Sequence, residues 1–356
     1  MKYGLKLIPV VAILLMVACG GGPEKEFDQA SKLNTIEAYE NFILNNPDHA
    51  LIDSAKVNIR LLTVIESENI GLLQKYFKGE VESDLDKQAH MILTGQIALQ
   101  SGDFKELDID SISNSDLAYG KDLAEILTKI NASSTPNILK KAKSYADRGY
   151  VGELFEQLLK IQAIVDNRLI RHTMAELLNT ASQKMKMPTT IRETESFQRK
   201  MSTFSGKLGS DNLKLGSMND NPDFGNVCII IPTLTMEARA RSMLTEIPMN
   251  EYRRGNIGFN GVLQLMEQMG KMAGILNSRV IEGAKLLLGD EYNKLGIKGR
   301  YAVLQWLEYL VDEAGFGVTL LVGEIHITLR ATIEGENNIL LKELAQQLLE
   351  KMEKSS

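Results

Sequence analysis

Two cysteines, Cys19 and Cys228, are all that this chain of 356 residues contains. A disulfide framework is thereby excluded, and the fold must be held by its own apolar core. A chain of this length that is 44% hydrophobic can build one. Histidine is nearly as scarce, and His49, His90, His172 and His326 fall in four separate segments, none beside a cysteine. That scatter does not fit the ligand spacing of a zinc site, so no metal or other cofactor is expected. No Gly-x-Ser-x-Gly elbow, no phosphate loop ending in Gly-Lys-Ser/Thr and no His-Glu-x-x-His occurs, so no catalytic residue is assigned and the chain is not expected to be an enzyme. Positive charge is also in deficit: 40 basic against 46 acidic side chains. An acidic surface without clustered Lys and Arg does not favour nucleic acid. No apolar run reaches the roughly 20 residues that a membrane-spanning helix needs.

What is present begins at the first residues. Lys2 and Lys6 give a basic start, and Leu7 to Val17 form an apolar run of signal-peptide length. Met16-Val17-Ala18-Cys19 follows, and then the flexible Gly20-Gly21-Gly22-Pro23. These residues resemble the lipobox of bacterial lipoproteins, with Met16 where that pattern usually has Leu. The resemblance implies cleavage before Cys19, which then carries the lipid. A plain secretory peptide and a single membrane span are the other readings; lipidation alone accounts for Cys19 and the glycine tether together. Gly20, not Asp, after the cysteine implies the outer membrane rather than the inner one, by likeness to enterobacterial lipoproteins. Removing residues 1–18 takes away only Lys2 and Lys6 as charges, leaving 38 basic and 46 acidic groups and a formal charge of −8. Membrane attachment is then expected through acyl chains, several of which hold a protein firmly where one does not.

The fold class expected is mainly α, with a helical N-terminal region followed by a smaller α+β domain. The divisions are a signal peptide over 1–18, a tether over 19–26, a helical domain over 27–204, a linker or loop over 205–226 and an α+β domain over 227–356. Ile36, Tyr39, Phe42 and Ile43 recur at helical spacing until Pro47 stops the run. Tyr39, Phe42, Ile43 and Pro47 resemble the second helix of a tetratricopeptide repeat. Gly95, Ala98, Gly102, Asp103, Phe104 and Leu107 resemble the first helix and turn of one. Glu37 to Ala55 also resembles helical-repeat lipoproteins of the outer membrane. An α-solenoid is what these likenesses imply; ordinary helical hairpins are the alternative. Predicted helices then cover Leu117–Ile130, Pro136–Ala146, Gly152–Lys186 and Ile191–Phe204. Ser205–Asn226 has four glycines and little apolar surface, which marks a boundary or loop.

Beyond it, Val227–Ile231, Val318–Val322 and Ile325–Ile333 read as strands; in the last, Ile325, Ile327, Leu329, Ala331 and Ile333 alternate with polar residues. Cys228 sits in the first of these as a buried thiol. Asn256–Leu288, Arg300–Ala314 and a segment ending near Met352 read as helices. Two clusters are candidate interaction sites. Arg239, Arg241, Arg253 and Arg254 suit a planar anion, or else pair with neighbouring glutamates. Met266, Met269 and Met272, three apart, line an adaptable groove or fill a core. Gly270 and Gly274 mark a tight helix crossing.

The function expected is that of a lipid-anchored scaffold holding an envelope protein partner near the membrane. The alternative is a binding lipoprotein holding an apolar or anionic small ligand in its C-terminal domain. Replacing Cys19 with Ala should abolish incorporation of labelled palmitate and release the protein from the membrane fraction. Unchanged labelling would refute the lipobox reading.

Overall fold

The computed structural model describes residues 22–354 except 78–82, 116, 132–134, 209–212, 216–222, 290 and 313–317. Cys19 and the segments flanking it lie outside the described residues, as do parts of Ser205–Asn226. The described residues form seventeen α-helices, one short 3₁₀ turn and no strand. Two compact units are distinguished, residues 1–63 and 64–356.

In the first unit, α1 (Pro23–Leu33) and α2 (Ile36–Asn45) form a hairpin. Asn34 ends α1 in the left-handed conformation, and the Thr35 hydroxyl caps α2 by accepting from the Ala38 N–H. Phe27 packs its ring on Tyr39 at 6.0 Å and on Phe42 at 5.3 Å between centroids. The helix α3 (Ile52–Ser67) starts here and runs into the second unit.

The second unit continues with α4 (Ile70–Tyr76), α5 (Asp84–Ser101), α6 (Ile109–Ser113), α7 (Ala118–Asn131), α8 (Thr135–Asp147), α9 (Val151–Ile164), α10 (Arg168–Lys184) and α11 (Ile191–Leu208). Then come α12 (Val227–Leu244), α13 (Ile247–Arg253), α14 (Phe259–Leu288), α15 (Ile297–Asp312), α16 (Val318–Gly335) and α17 (Ile339–Lys354). The centre of this unit is α10, which packs against α5, α7, α8, α9 and α12. Its Leu169, Ile170, Met174, Leu177, Leu178 and Ala181 are all buried. Each of the Leu, Ile and Met side chains contributes about 1.5–3 kcal/mol on removal from water. The single long helix expected over Gly152–Lys186 is two helices, because Asn167 turns its side chain back to accept from the Ile170 N–H and starts α10 afresh.

The expected α+β C-terminal domain is not found: every segment read as a strand is helical. Val227–Ile231 is the start of α12, which accommodates Pro232 in its second turn. Val227, Cys228, Ile231, Pro232, Leu234, Thr235, Met236, Glu237, Ala238, Ala240 and Leu244 are all buried, so this helix is enclosed on most of its sides and shows no single apolar stripe. Ile325–Ile333 lies in α16 and Val318–Val322 opens it. In Ile325–Ile333 the buried apolar residues are Ile325, Leu329 and Ile333, four apart, whereas Ile327 is 73% exposed. A spacing of four is also a multiple of two, so the same residues satisfy strand alternation and a helical stripe. In α14, a Cβ at Gly283 would lie 2.4 Å from Leu234 Cδ1, so glycine there lets α14 close on α12.

These packings distinguish the two folds by mutation. On a strand Ile327 and Leu329 would share a face. On the helix, Ile327→Lys should change stability by less than about 0.5 kcal/mol, while Leu329→Ala should cost about 2–5 kcal/mol in chemical denaturation. Equal and large losses at both positions would restore the strand.

Candidate functional site: a buried charge cluster beneath a polar cleft

The residue that organises the site is Glu68, one position past the end of α3. Its backbone is left-handed, with φ of 48°. Asn69 follows and caps α4 by accepting from the Leu72 N–H. The turn carries the Glu68 carboxylate into the interior. There Arg168 Nη1 donates to Oε1 at 2.6 Å, and His172 Nδ1 and Lys298 Nζ each lie 3.4 Å from Oε2. Arg168 Nε also pairs with Asp122 at 3.2 Å and its Nη1 with Asp223 at 3.4 Å. Lys298 extends the cluster to Glu176 at 3.7 Å, whose other oxygen accepts from Gln100 Nε2 at 2.6 Å.

Local sequence explains the approach of these groups. Arg168 and His172 stand one turn apart on α10, so both reach the same side. Lys298 sits in the first turn of α15, where a Cβ at Gly299 would be 2.6 Å from the Asp223 carbonyl oxygen. Glycine lets that turn close, and the Gly299 N–H donates to the same oxygen at 3.1 Å. The Phe224 ring lies 5.2 Å from the His172 ring and 5.8 Å from Lys298 Nζ.

Burial alone would raise the Glu68 pKa. The Lys298 charge, the hydrogen bond from His172 and the Arg168 charge outweigh it and hold the carboxyl far below the usual carboxylate range. Burial, and next the Lys298 charge, push the His172 pKa down to about 4 against the pull of Glu68. His172 is therefore neutral at pH 7, with Nδ1–H donating to the carboxylate. Burial and the charges of Glu68 and Glu176 raise the Tyr119 phenol, which donates to the Ile92 carbonyl at 3.2 Å.

Beside this cluster lies a half-open cavity of about 480 Å³. One wall is the polar row Glu176, Asn179, Thr180 and Gln183 of α10; the other is Tyr301, Gln305, Trp306 and Tyr309 of α15. Cys228, Ile231 and Pro232 of α12 supply apolar surface. Burial, then the Glu308 charge, push the Tyr301 phenol up to about 12, so it is a neutral group at physiological pH. Charges on the wall are compensated: Lys298 by Glu68 and Glu176, and Glu308 and Asp312 by Lys351 at 3.5 and 2.5 Å. Two polar atoms of lining residues lack hydrogen-bond partners among the described residues: the indole Nε1 of Trp306, a buried residue, and Oδ1 of Asn179. Leaving such a group unpaired costs about 1–3 kcal/mol, which a bound water or ligand offsets.

The arginine and methionine clusters singled out in the sequence do not line this cavity. Arg239 Nη1 donates to the Ser182 carbonyl at 2.7 Å, while Arg253 and Arg254 are exposed at the end of α13. Glu237 pairs with Arg279, and Glu251 accepts from Asn256 Nδ2 and the Ile191 N–H. The methionine row divides: Met269 is buried with Leu244, Ile247, Leu265 and Ala273, Met272 packs at the margin of that group, and Met266 is exposed. A three-residue spacing drifts about 60° around a helix at each step, so one line of residues cannot stay on one face. Cys228 is buried, as expected, with Sγ donating towards the Leu215 carbonyl at 2.9 Å. Among the described residues no group of three or more His, Cys, Asp and Glu could hold a metal, and no helix is long and apolar enough to cross a membrane. No family model, no curated protein and no solved structure matches the chain.

Both Glu68 and His172 have lowered pKa values in the folded protein, so the unfolded chain takes up protons first as pH falls. Stability is fully present above pH 6.5 and declines below it as His172 fails to charge, then further below 4.5 on account of Glu68. The His172 slope is at most about 1.4 kcal/mol per pH unit. Melting temperature should fall between pH 6.5 and 4.5 in the parent, and less steeply in His172→Gln. Glu68→Gln at pH 7.5 should cost about 3–5 kcal/mol, because Arg168 and Lys298 lose their central counter-charge. A loss under 1 kcal/mol would show that the cluster is not buried as described.

Proposed function

We propose that this chain is a lipid-anchored protein of the bacterial cell envelope, tethered through Cys19 to the outer membrane, that binds a small, uncharged polar molecule in the cleft between α10 and α15. The cavity carries the reading. Its volume is in the range of small-molecule sites, about 300–1,000 Å³. Its charged groups are already paired with one another, so a charged ligand would have to break an existing pair. The neutral amide and hydroxyl side chains along its walls, Asn179, Thr180, Gln183 and Gln305, suit a hydroxyl- or amide-bearing ligand. This ligand class is neither apolar nor anionic, and its site draws on α4, α5 and α10 as well as on residues after 227. A scaffold role retains one supporting observation: Leu33, Leu44 and Val57 of the first unit are large apolar side chains left exposed.

Trp306 is the sole tryptophan, so its fluorescence reports on the cleft directly. Full-length protein purified from membranes should carry a bound small molecule in native mass spectrometry. Titration with a panel of neutral saccharides and amides should shift Trp306 emission. Asn179→Ala should then weaken the best binder by roughly fivefold to tenfold, the worth of one hydrogen bond. An empty protein, with neither emission nor melting temperature moved by any compound, would sink the proposal.

A further inference from the structure

The exposed side of α14 carries a second site. Phe259, Leu263 and Met266 are 66%, 52% and 45% exposed. Continuing along the same line come Gly270 and Gly274, where an added Cβ would meet nothing within 4 Å. At 100° per residue these five positions fall within about 80° of the helix circumference. The expectation that Gly270 and Gly274 mark a tight crossing inside the fold is not met; that place is taken by Gly283 against Leu234. The glycine pair faces outward with its surroundings open.

We infer that two copies of this chain pair antiparallel along this face of α14, with their helices crossing at Gly270. The stripe is complementary to itself under that arrangement. A two-fold axis at Gly270 sets Met266 of one copy over Gly274 of the other, a large side chain over a bare backbone. Leu263 falls opposite Asn277, and Phe259 opposite Ile281; Asn277 and Ile281 are both half-buried at the far end of the stripe. Charge agrees with shape. Glu267 and Lys271, bonded at 2.7 Å within the helix and exposed, lie along one edge of the stripe. In an antiparallel pair the same edge of each helix meets, so each copy's Glu267 lies beside the other's Lys271. Such an isologous contact closes on itself and makes a dimer, not a filament. The stripe from residue 259 to 281 is about 33 Å long. A single helix face of that length is well below the roughly 800 Å² per partner of a standard interface, so the pair exchanges readily.

Cysteine crosslinking traps such exchange. In full-length protein on intact cells, Gly270→Cys should give a disulfide-linked dimer on mild oxidation, because the two residues 270 meet at the crossing. Ile275→Cys, exposed on the other side of α14, controls for Cys19 and for random collision. Dimer yield at 270 should exceed that at 275 by at least fivefold, and adding Met266→Glu should remove most of the excess. Leu263→Cys mixed with Asn277→Cys should crosslink, while Leu263→Cys alone should not. Equal yields at 270 and 275, or no dimer at either, would overturn the pairing; crosslinking of Leu263→Cys to itself would overturn its antiparallel sense. Gly270 has open space around it, so the cysteine does not threaten the fold.

Discussion

A carboxylate taken out of water must be met by opposite charge and hydrogen bonds, or it does not stay ionised. Glu68 satisfies that requirement with groups brought from positions 168, 172 and 298. Meeting it forces the end of α3, the start of α10 and the start of α15 to converge. The backbone contributes too: a non-glycine residue in the left-handed region costs of order 1 kcal/mol or more, and the ion pairs offset it. The cleft inherits its position from this convergence. Its polar rows begin at Glu176, one turn beyond His172, and at Tyr301, one turn beyond Lys298, so the same two helices that clamp Glu68 form the walls.

Little of this was legible in the sequence. His172 and Lys298 stand 104 and 230 residues from Glu68, and no periodicity links them. One local signal existed: Asp166-Asn167 in the middle of a long apolar stripe was a helix cap, and reading it would have placed Arg168 and His172 in the first two turns of a new helix. The arginines near Pro248 show the converse. They were conspicuous in sequence, yet Arg239 lies against α10 while Arg253 and Arg254 end α13 in solvent. Proximity along the chain did not become proximity in space.

The helices themselves were legible where polar and apolar residues alternate with the 3.6 period, as through Ile36–Asn45 and Ala118–Asn131. Legibility failed where local preference and burial disagree. Val227–Ile231 and Ile325–Ile333 are rich in β-branched residues, and their local preference points to strands. Burial decided otherwise, since α12 packs against α10, α14 and α15 and needs apolar residues most of the way round. In such a helix the composition reports depth, not backbone conformation.

The two glycine positions of α14 carry the same lesson about spacing. Gly283 is required because Leu234 occupies the space a side chain would take, whereas Gly270 and Gly274 meet nothing. Gly-x-x-x-Gly states only that a helix offers a flat strip; which body lies on that strip is a matter of what the rest of the chain has already covered. Here the buried side of α14 is filled by Val262, Leu265, Met269, Ala273 and Val280. A flat strip beside such a filled face, flanked by a Glu–Lys pair, meets nothing at Gly270 and Gly274 among the described residues. The physical demand left on it is for another helix with matching relief, and the proposed pairing with a second copy of α14 meets that demand at Met266 and Gly274.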